Sequence, residues 1–410
     1  MPLTRAQIYR RRRIAVFGAF TLLVSGIAYL PLTLFAPVSE IAAVVTEPTF
    51  ETAPAVTLTP PAAAASAISA AGEGVLVQTG SPDPLPIASI TKLITALVVL
   101  DAHPLAAGEP GPMIRMTDAD AALYRQYDRL GASVAPVQVG AELSERQVIE
   151  VMLIDSAGNY AVTLVNWAFG SEAAFLDATR AWLADNALTS VVVTEPTGRD
   201  PGNVATASDL LRIGELALED PALAEIVAIS RTTIDGAGEV VNSNKLLGYE
   251  GIDGIKTGTL NSFGANLLYS GDIQVGSTTI PVVGVVLGAA THGVLNDAVR
   301  ALYTEVRAGY REVEVVTRGE VIGEYATRWE ESSAAIAADS ATLVVWSDTP
   351  ISAVTSVDPV GLAPADTAVG ELAISSGPRS VSVPLVLSNA IEDPGPWWRL
   401  SHPEIIFGMG

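Results

Sequence analysis

Lysine is scarce in this chain: twenty Arg stand against three Lys, at positions 92, 245 and 256. A requirement for charge or solubility alone would be met by more Arg. Lys differs because its amine can lose a proton when desolvated, whereas a guanidinium stays charged. Lys92 lies three residues after Ser89 in "SITKLITALVVL". On a helix that spacing puts the two side chains on one face, and Ser89 falls in the first turn, where free N–H groups favour developing negative charge. A desolvated Lys92 amine can take the proton of the Ser89 hydroxyl, which gives nucleophilic catalysis without histidine.

Two further stretches carry possible chemistry. "IKTG" (255–258) reads as part of a strand in which Gly258 lets a ligand backbone approach closely and the Lys256 charge can hold a carboxylate. "DSAGN" (155–159) places Ser156 just after a helix. Each piece also has an ordinary structural reading: a snorkelling lysine on an amphipathic helix, a turn-proximal strand residue, a capping serine. Their joint order, Ser-x-x-Lys, then a Ser-containing turn, then Lys-Thr-Gly, is far more specific than any one of them.

Other chemistries lack their residues. The three His, at 103, 292 and 402, have no ligand-like spacing, and neither a Gly-x-Ser-x-Gly elbow nor a phosphate-cradling Gly-Lys-Ser/Thr loop occurs. With no Cys there is no thiol nucleophile and no disulfide framework. No metal and no other cofactor is expected. The net charge is −22, and the first thirteen residues hold five Arg and no acid, so the remainder is more acidic still. Such a surface repels phosphates, which argues against a nucleic-acid partner.

The elements that must position these residues follow from periodicity. Residues 14–35 carry no charge and, at about 1.5 Å per residue, are long enough to cross a hydrocarbon layer of about 30 Å. The Arg cluster before them orients residues 1–13 to the cytoplasm and sends the rest outside. An uncleaved anchor is the favoured reading, with a signal peptide cut near Ala28 as the alternative. Residues 36–70, rich in Ala, Pro and Thr, read as an extended spacer. "GVLVQT" (74–79) reads as a strand. Helices are expected over 89–102, 144–154 (with Ser144 and Gln147 as a capping box), 160–170, 171–187 and 206–219. "GIDGIKTGTL", "ANLLYSGDI" and "IPVVGVVLG" read as three strands. From about residue 310 the pattern alternates with period two in "EVEVVT", "ATLVVWSD", "ISAVTSVD" and "SVSVPLVL". Mixed α and β first, then only β, argues an α+β domain over 71–309 and a small all-β domain over 310–410.

With these segments in view, the chain resembles the D-alanyl-D-alanine carboxypeptidases, the low-molecular-mass penicillin-binding serine peptidases. The likeness spans about residues 73–308 and includes "IASITKLITALVVL", "MLIDSAGNYAVTLVNWAFGS", "EPTGRDPGNVATASDLLRIGELAL" and "VNSNKLLGYEGIDGIKTGTL". It implies a penicillin-binding, serine β-lactamase-like fold in which an antiparallel sheet is flanked by helices. It also implies that Ser89 is the acylated nucleophile, Lys92 its general base, and Ser156 a proton relay toward the leaving group. Lys256, Thr257 and Gly258 would line the substrate carboxylate site, with the backbone N–H groups of Ser89 and Thr259 as the oxyanion hole. The implied substrates are peptidoglycan stem peptides, cut outside the membrane at the terminal D-Ala, with β-lactams as acylating inhibitors. Two departures stand out. The family's second motif ends in Asn, whereas Gly158 stands here and Asn159 follows, so either Asn159 replaces the amide or the amide is absent. A basic residue expected after "VVGVVLG" is replaced by Ala289 and Ala290. These departures keep a catalytically weakened wall-binding homologue as an alternative, and Glu195 in "EPTG" keeps a β-lactamase as another.

Overall fold

The computed structural model describes residues 4–408, and the chain divides into two compact units. One runs from Pro54 to Arg311; the other joins the N-terminal stretch through Ala53 to everything from Glu312 onward.

The second of these units begins with α1 (Arg5–Leu34), a helix long and apolar enough to cross a membrane or to serve as a signal sequence. Its β part is a six-stranded antiparallel sheet in the order Val44–Val45, Val321–Ala326, Ser332–Ala337, Arg379–Leu387, Ala368–Ser376, Ile351–Val357. A two-stranded pair, Tyr310–Val316 with Ala341–Trp346, accompanies it. Tyr325, Leu372, Ile374 and Leu385 are fully buried in its core. The helix Gly395–Ser401 packs on α1: the Tyr29 hydroxyl donates to the Leu400 carbonyl (2.7 Å), and Arg399 donates to the Ala36 carbonyl (2.6 Å).

The Pro54–Arg311 unit is built on a five-stranded antiparallel sheet of β1 (Ala65–Ala70), β2 (Gly74–Gly80), β3 (Ile252–Leu260), β4 (Gly264–Val275) and β5 (Thr278–Ala289), in the spatial order β3-β4-β5-β1-β2. Its helices are α2 (Thr91–Ala102), α3 (Asp118–Arg129), α4 (Glu145–Ile154), α5 (Gly158–Phe169), α6 (Glu172–Asp185), α7 (Ala207–Glu219), α8 (Pro221–Val227) and α9 (His292–Gly309). The helix starts have local causes. Ser144 accepts from the Gln147 N–H and Gln147 returns the bond, the capping box that the sequence pattern gives. Thr206 and Thr291 cap α7 and α9 in the same way from one side.

Two expectations need correction. The spacer over 36–70 is not a spacer throughout. Residues 65–70 form β1, an inner strand buried at every position, and Val44–Val45 extends the sheet of the other unit. "ASAISA" escapes a pattern reading because small residues buried on both faces show neither alternation nor the β-branched and aromatic enrichment of most strands. The ordinary alternative of a snorkelling lysine also falls: every residue from Thr91 to Leu100 in α2 is buried, Lys92 included.

Candidate active site

Ser89 lies in a 3-10 turn, Ala88–Ile90, that runs directly into α2. The turn is held from three sides. Thr91 Oγ1 donates to the Ala88 carbonyl (2.8 Å), Ile87 N–H donates to the Asn203 carbonyl (3.0 Å), and Asn266 Nδ2 donates to the Pro86 carbonyl (3.0 Å). Two glycines clasp the Ala88–Ser89 peptide. A Cβ on Gly198, which has φ +79°, would overlap the Ala88 carbonyl oxygen. One on Gly258 would stand 3.0 Å from both Ala88 Cβ and the Ile87 carbonyl oxygen, and 3.2 Å from Ser89 N. β3 is the edge strand of the sheet and packs against this turn.

Lys92 is 3 % exposed, and its Nζ donates to Ser89 Oγ at 3.0 Å and to the Thr197 carbonyl at 2.7 Å. Burial pushes the amine down to about 8, against a smaller upward pull from the Glu195 carboxylate. Lys256, on β3, is 1 % exposed and donates to the Thr257 carbonyl (3.1 Å). Burial lowers it well below the ordinary lysine value, and the Lys92 charge lowers it further. Two buried amines that feel each other resist holding two protons at once.

Ser156 is buried in the turn between α4 and α5. Its φ of +59°, like the +52° of Ala88, is a left-handed conformation that a non-glycine residue adopts at a cost. Its neighbour Asp155 is raised by burial and lowered by the Lys256 charge, so this turn and β3 face each other. On β3, Thr257 Oγ1 pairs with Ser243 Oγ (2.5 Å), while Thr259 is exposed and its Oγ1 pairs with His292 Nε2 at 2.7 Å. Lys245, the third lysine, is exposed.

Three sequence expectations change here. Asn159 does not replace the amide missing at Gly158: it is fully buried, its Oδ1 accepts from the Ala135 N–H (3.1 Å) and its Nδ2 donates to the Ala135 carbonyl (3.0 Å). Both ends of the amide are therefore occupied inside the protein. No basic group stands at Ala289 or Ala290; the next titratable side chain is His292 at the start of α9, whose Nε2 pairs with Thr259 Oγ1. Burial and then the Lys256 charge hold His292 below its usual value. "THG" directly after the last sheet strand was the available signal. Glu195, finally, is not a free base. Its Oε2 accepts from Thr197 N–H (2.7 Å) and Oγ1 (2.6 Å), and its Oε1 from the N–H groups of Arg199 (2.7 Å) and Asp200 (3.2 Å) and from Asn203 Nδ2 (2.7 Å). It organises the loop that holds Lys92, and this disfavours the β-lactamase reading.

Asn266 and Tyr127 gave no sequence signal. Asn266, fully buried, ties β5 to the segment before Ser89 by accepting from Gly288 N–H (2.8 Å) and donating to Pro86. Tyr127, on α3, is half-buried, and its hydroxyl lies near the Thr197 side chain. Among the described residues no group of three or more His, Asp or Glu could hold a metal ion.

Comparison with known proteins places the chain in a family. The family model described as D-alanyl-D-alanine carboxypeptidase matches residues 51–291. The D-alanyl-D-alanine carboxypeptidase DacC of Escherichia coli is 28 % identical over 256 residues, covering 59 % of this chain and 60 % of that protein. A D-alanyl-D-alanine endopeptidase of Pseudomonas aeruginosa is 31 % identical over 153 residues, 37 % of this chain and 46 % of that one. The chain thus spans 60 % or less of the length of these two relatives. Among solved structures, penicillin binding protein 5 from Haemophilus influenzae superposes with a TM-score of 0.57 at 19 % identity, covering 82 % of this chain and all of that one. Penicillin binding protein 6B from Escherichia coli does so with 0.57 at 20 %, covering 80 % and 96 %. At these identities the likeness is one of fold.

Proposed function

The chain belongs to the D-alanyl-D-alanine carboxypeptidase family, and on that premise we propose that it is a serine carboxypeptidase removing the terminal D-Ala from peptidoglycan stem peptides outside the cytoplasmic membrane. The observation that carries the reading is the contact between a buried, easily deprotonated Lys92 amine and Ser89 Oγ, 3.0 Å apart. The substrate lies along β3 as an added strand, its terminal carboxylate toward Lys256, Thr257 and the Thr259–His292 pair. That carboxylate favours the charged form of Lys256, and the Lys256 charge in turn keeps Lys92 neutral. Lys92 takes the Ser89 proton as Oγ attacks the carbonyl carbon of the penultimate residue. The N–H groups of Ser89 and Thr259 hold the oxyanion. The C–N bond then breaks, the leaving nitrogen receives a proton by way of Ser156, and D-Ala departs. Water attacks the acyl-serine, the ester bond breaks, and Ser89 regains its proton. A β-lactam enters the same first step.

In this reading residues 1–13 stay in the cytoplasm, α1 is an uncleaved single-pass anchor, the Pro54–Arg311 unit is catalytic, and the β-rich unit is a pedestal or partner-positioning module. The decisive experiment is intact-mass measurement after treatment with a penicillin. The native chain gains one drug mass and Ser89→Ala gains none; equal labelling of both chains sinks the proposal. The mass of the membrane-extracted protein also tells an uncleaved anchor from a signal peptide cut near Ala28.

A further inference from the structure

Gly158 and Tyr127 are 31 positions apart in sequence and touch in the fold. A Cβ on Gly158 would stand 3.0 Å and 3.2 Å from Cδ1 and Cε1 of the Tyr127 ring. The ring therefore occupies the space that a side chain at 158 would need. What holds it there is out of proportion to α3 itself, whose only buried residue is Asp120. Thr163 Oγ1 donates to Asp120 Oδ1 (2.7 Å), Gly158 N–H to the Ser133 carbonyl (2.8 Å), and Tyr160 Oη to the Pro136 carbonyl (2.8 Å). Asn159 adds its two bonds to Ala135. These bonds fasten α3 and the segment after it along the first turns of α5, beside the Ser156 turn. At its other end Tyr127 reaches the loop that holds the lysine. There the Tyr127 hydroxyl lies near the side chain of Thr197, whose Oγ1 donates to Glu195 and whose carbonyl accepts from Lys92 Nζ.

We propose that Tyr127 is a positioning residue for the Ser89–Lys92 pair: its ring lies on Gly158, its hydroxyl lies near Thr197, and the ring closes the lysine pocket against water. This deepens the carboxypeptidase reading and rests on it for the role of Lys92, but the closure itself can be measured without turnover. The ring replaces the side chain absent at 158 as the wall on this side of the cleft. Burial of Lys92 is what keeps its amine deprotonable, so opening the wall returns water to the amine and raises its affinity for a proton.

Three lysines make the test direct. Full-length protein in detergent, grown with lysine carbon-13 labelled at Cε, gives one signal per lysine, and Lys92→Met identifies that of Lys92. In the native protein the Lys92 signal titrates near 8. Tyr127→Ala raises that midpoint by about one unit or more, so that at pH 7 a penicillin acylates Ser89 about tenfold more slowly. Tyr127→Phe, which keeps the ring, moves the midpoint by less than about half a unit. Gly158→Asn displaces the ring from the other side, raises the midpoint in the same direction, and adds nothing further to Tyr127→Ala. An unchanged Lys92 midpoint in folded Tyr127→Ala overturns the proposal. If that variant does not fold, an unchanged midpoint in Gly158→Asn overturns it. Variants that shift the midpoint as stated, in a protein whose native form never acylates, remove the carboxypeptidase reading and leave the closure standing.

Discussion

The pH dependence of acylation is the sharpest consequence of the Lys92 environment. A lysine held at about 8 by burial is unprotonated in roughly one tenth of molecules at pH 7, half at pH 8 and nine tenths at pH 9. If the neutral amine takes the Ser89 proton, the second-order rate constant for acylation by a fluorescent penicillin follows those fractions. It rises about tenfold from pH 7 to pH 9 along one titration curve and then levels. The penicillin carboxylate stays ionised throughout, so the curve belongs to the protein. The partner lysine sharpens the expectation: a charged Lys256 makes a second proton on Lys92 more costly, so a ligand carboxylate that favours Lys256 ammonium does not shut the base down. Lys92→Arg installs a group that cannot deprotonate and should slow acylation on the order of 10³-fold, within the usual span for a general base. Rates are read from the fluorescent adduct in quenched time courses, with circular dichroism checking the fold at each pH. A flat profile between pH 6 and 10, or Lys92→Arg within tenfold of native, refutes the reasoning.

Other perturbations test the surrounding frame. Gly258→Val places carbon against Ala88 Cβ, the Ile87 carbonyl oxygen and Ser89 N; displacement of Ser89 should slow acylation on the order of 10²-fold with a smaller change in melting temperature. Asn159→Ala leaves the buried backbone of Ala135 without partners and should lower stability by about 2 kcal/mol in urea titration; a native midpoint would show that the amide does not fasten this segment. His292→Ala removes a hydrogen-bonding group beside Thr259 and should raise KM for an acyl-D-Ala-D-Ala peptide by about 3- to 10-fold with little change in kcat. An unchanged KM removes His292 from the carboxylate site.

The sequence determined what depends on local spacing. Ser89 and Lys92 sit three apart, and any helical turn brings them to one face; Ser144 and Gln147 make a capping box because the box is a four-residue device. Alternating residues gave the β-rich tail, although Val321–Ala326, Ser332–Ala337 and Ala368–Ser376 escaped notice there. The charge-free run after five Arg gave a helix long enough to span a membrane. The tertiary structure decided what depends on distant parts of the chain. Lys92 is buried with the rest of its helix, and Thr197, 105 positions away, supplies a carbonyl to its amine; only that burial makes an ordinary lysine into a base. Asn159 reads as the shifted motif amide until Ala135, 24 positions before it, occupies both of its ends. His292 meets Thr259 across 33 positions, and Asn266 meets Pro86 across 180. β1, made of small residues, is a strand because its neighbours β5 and β2 pair with it on both sides. Periodicity records which face a residue shares with its near neighbours; desolvation, hydrogen-bond partners and cross-strand pairing are set by groups that meet only when the chain has packed.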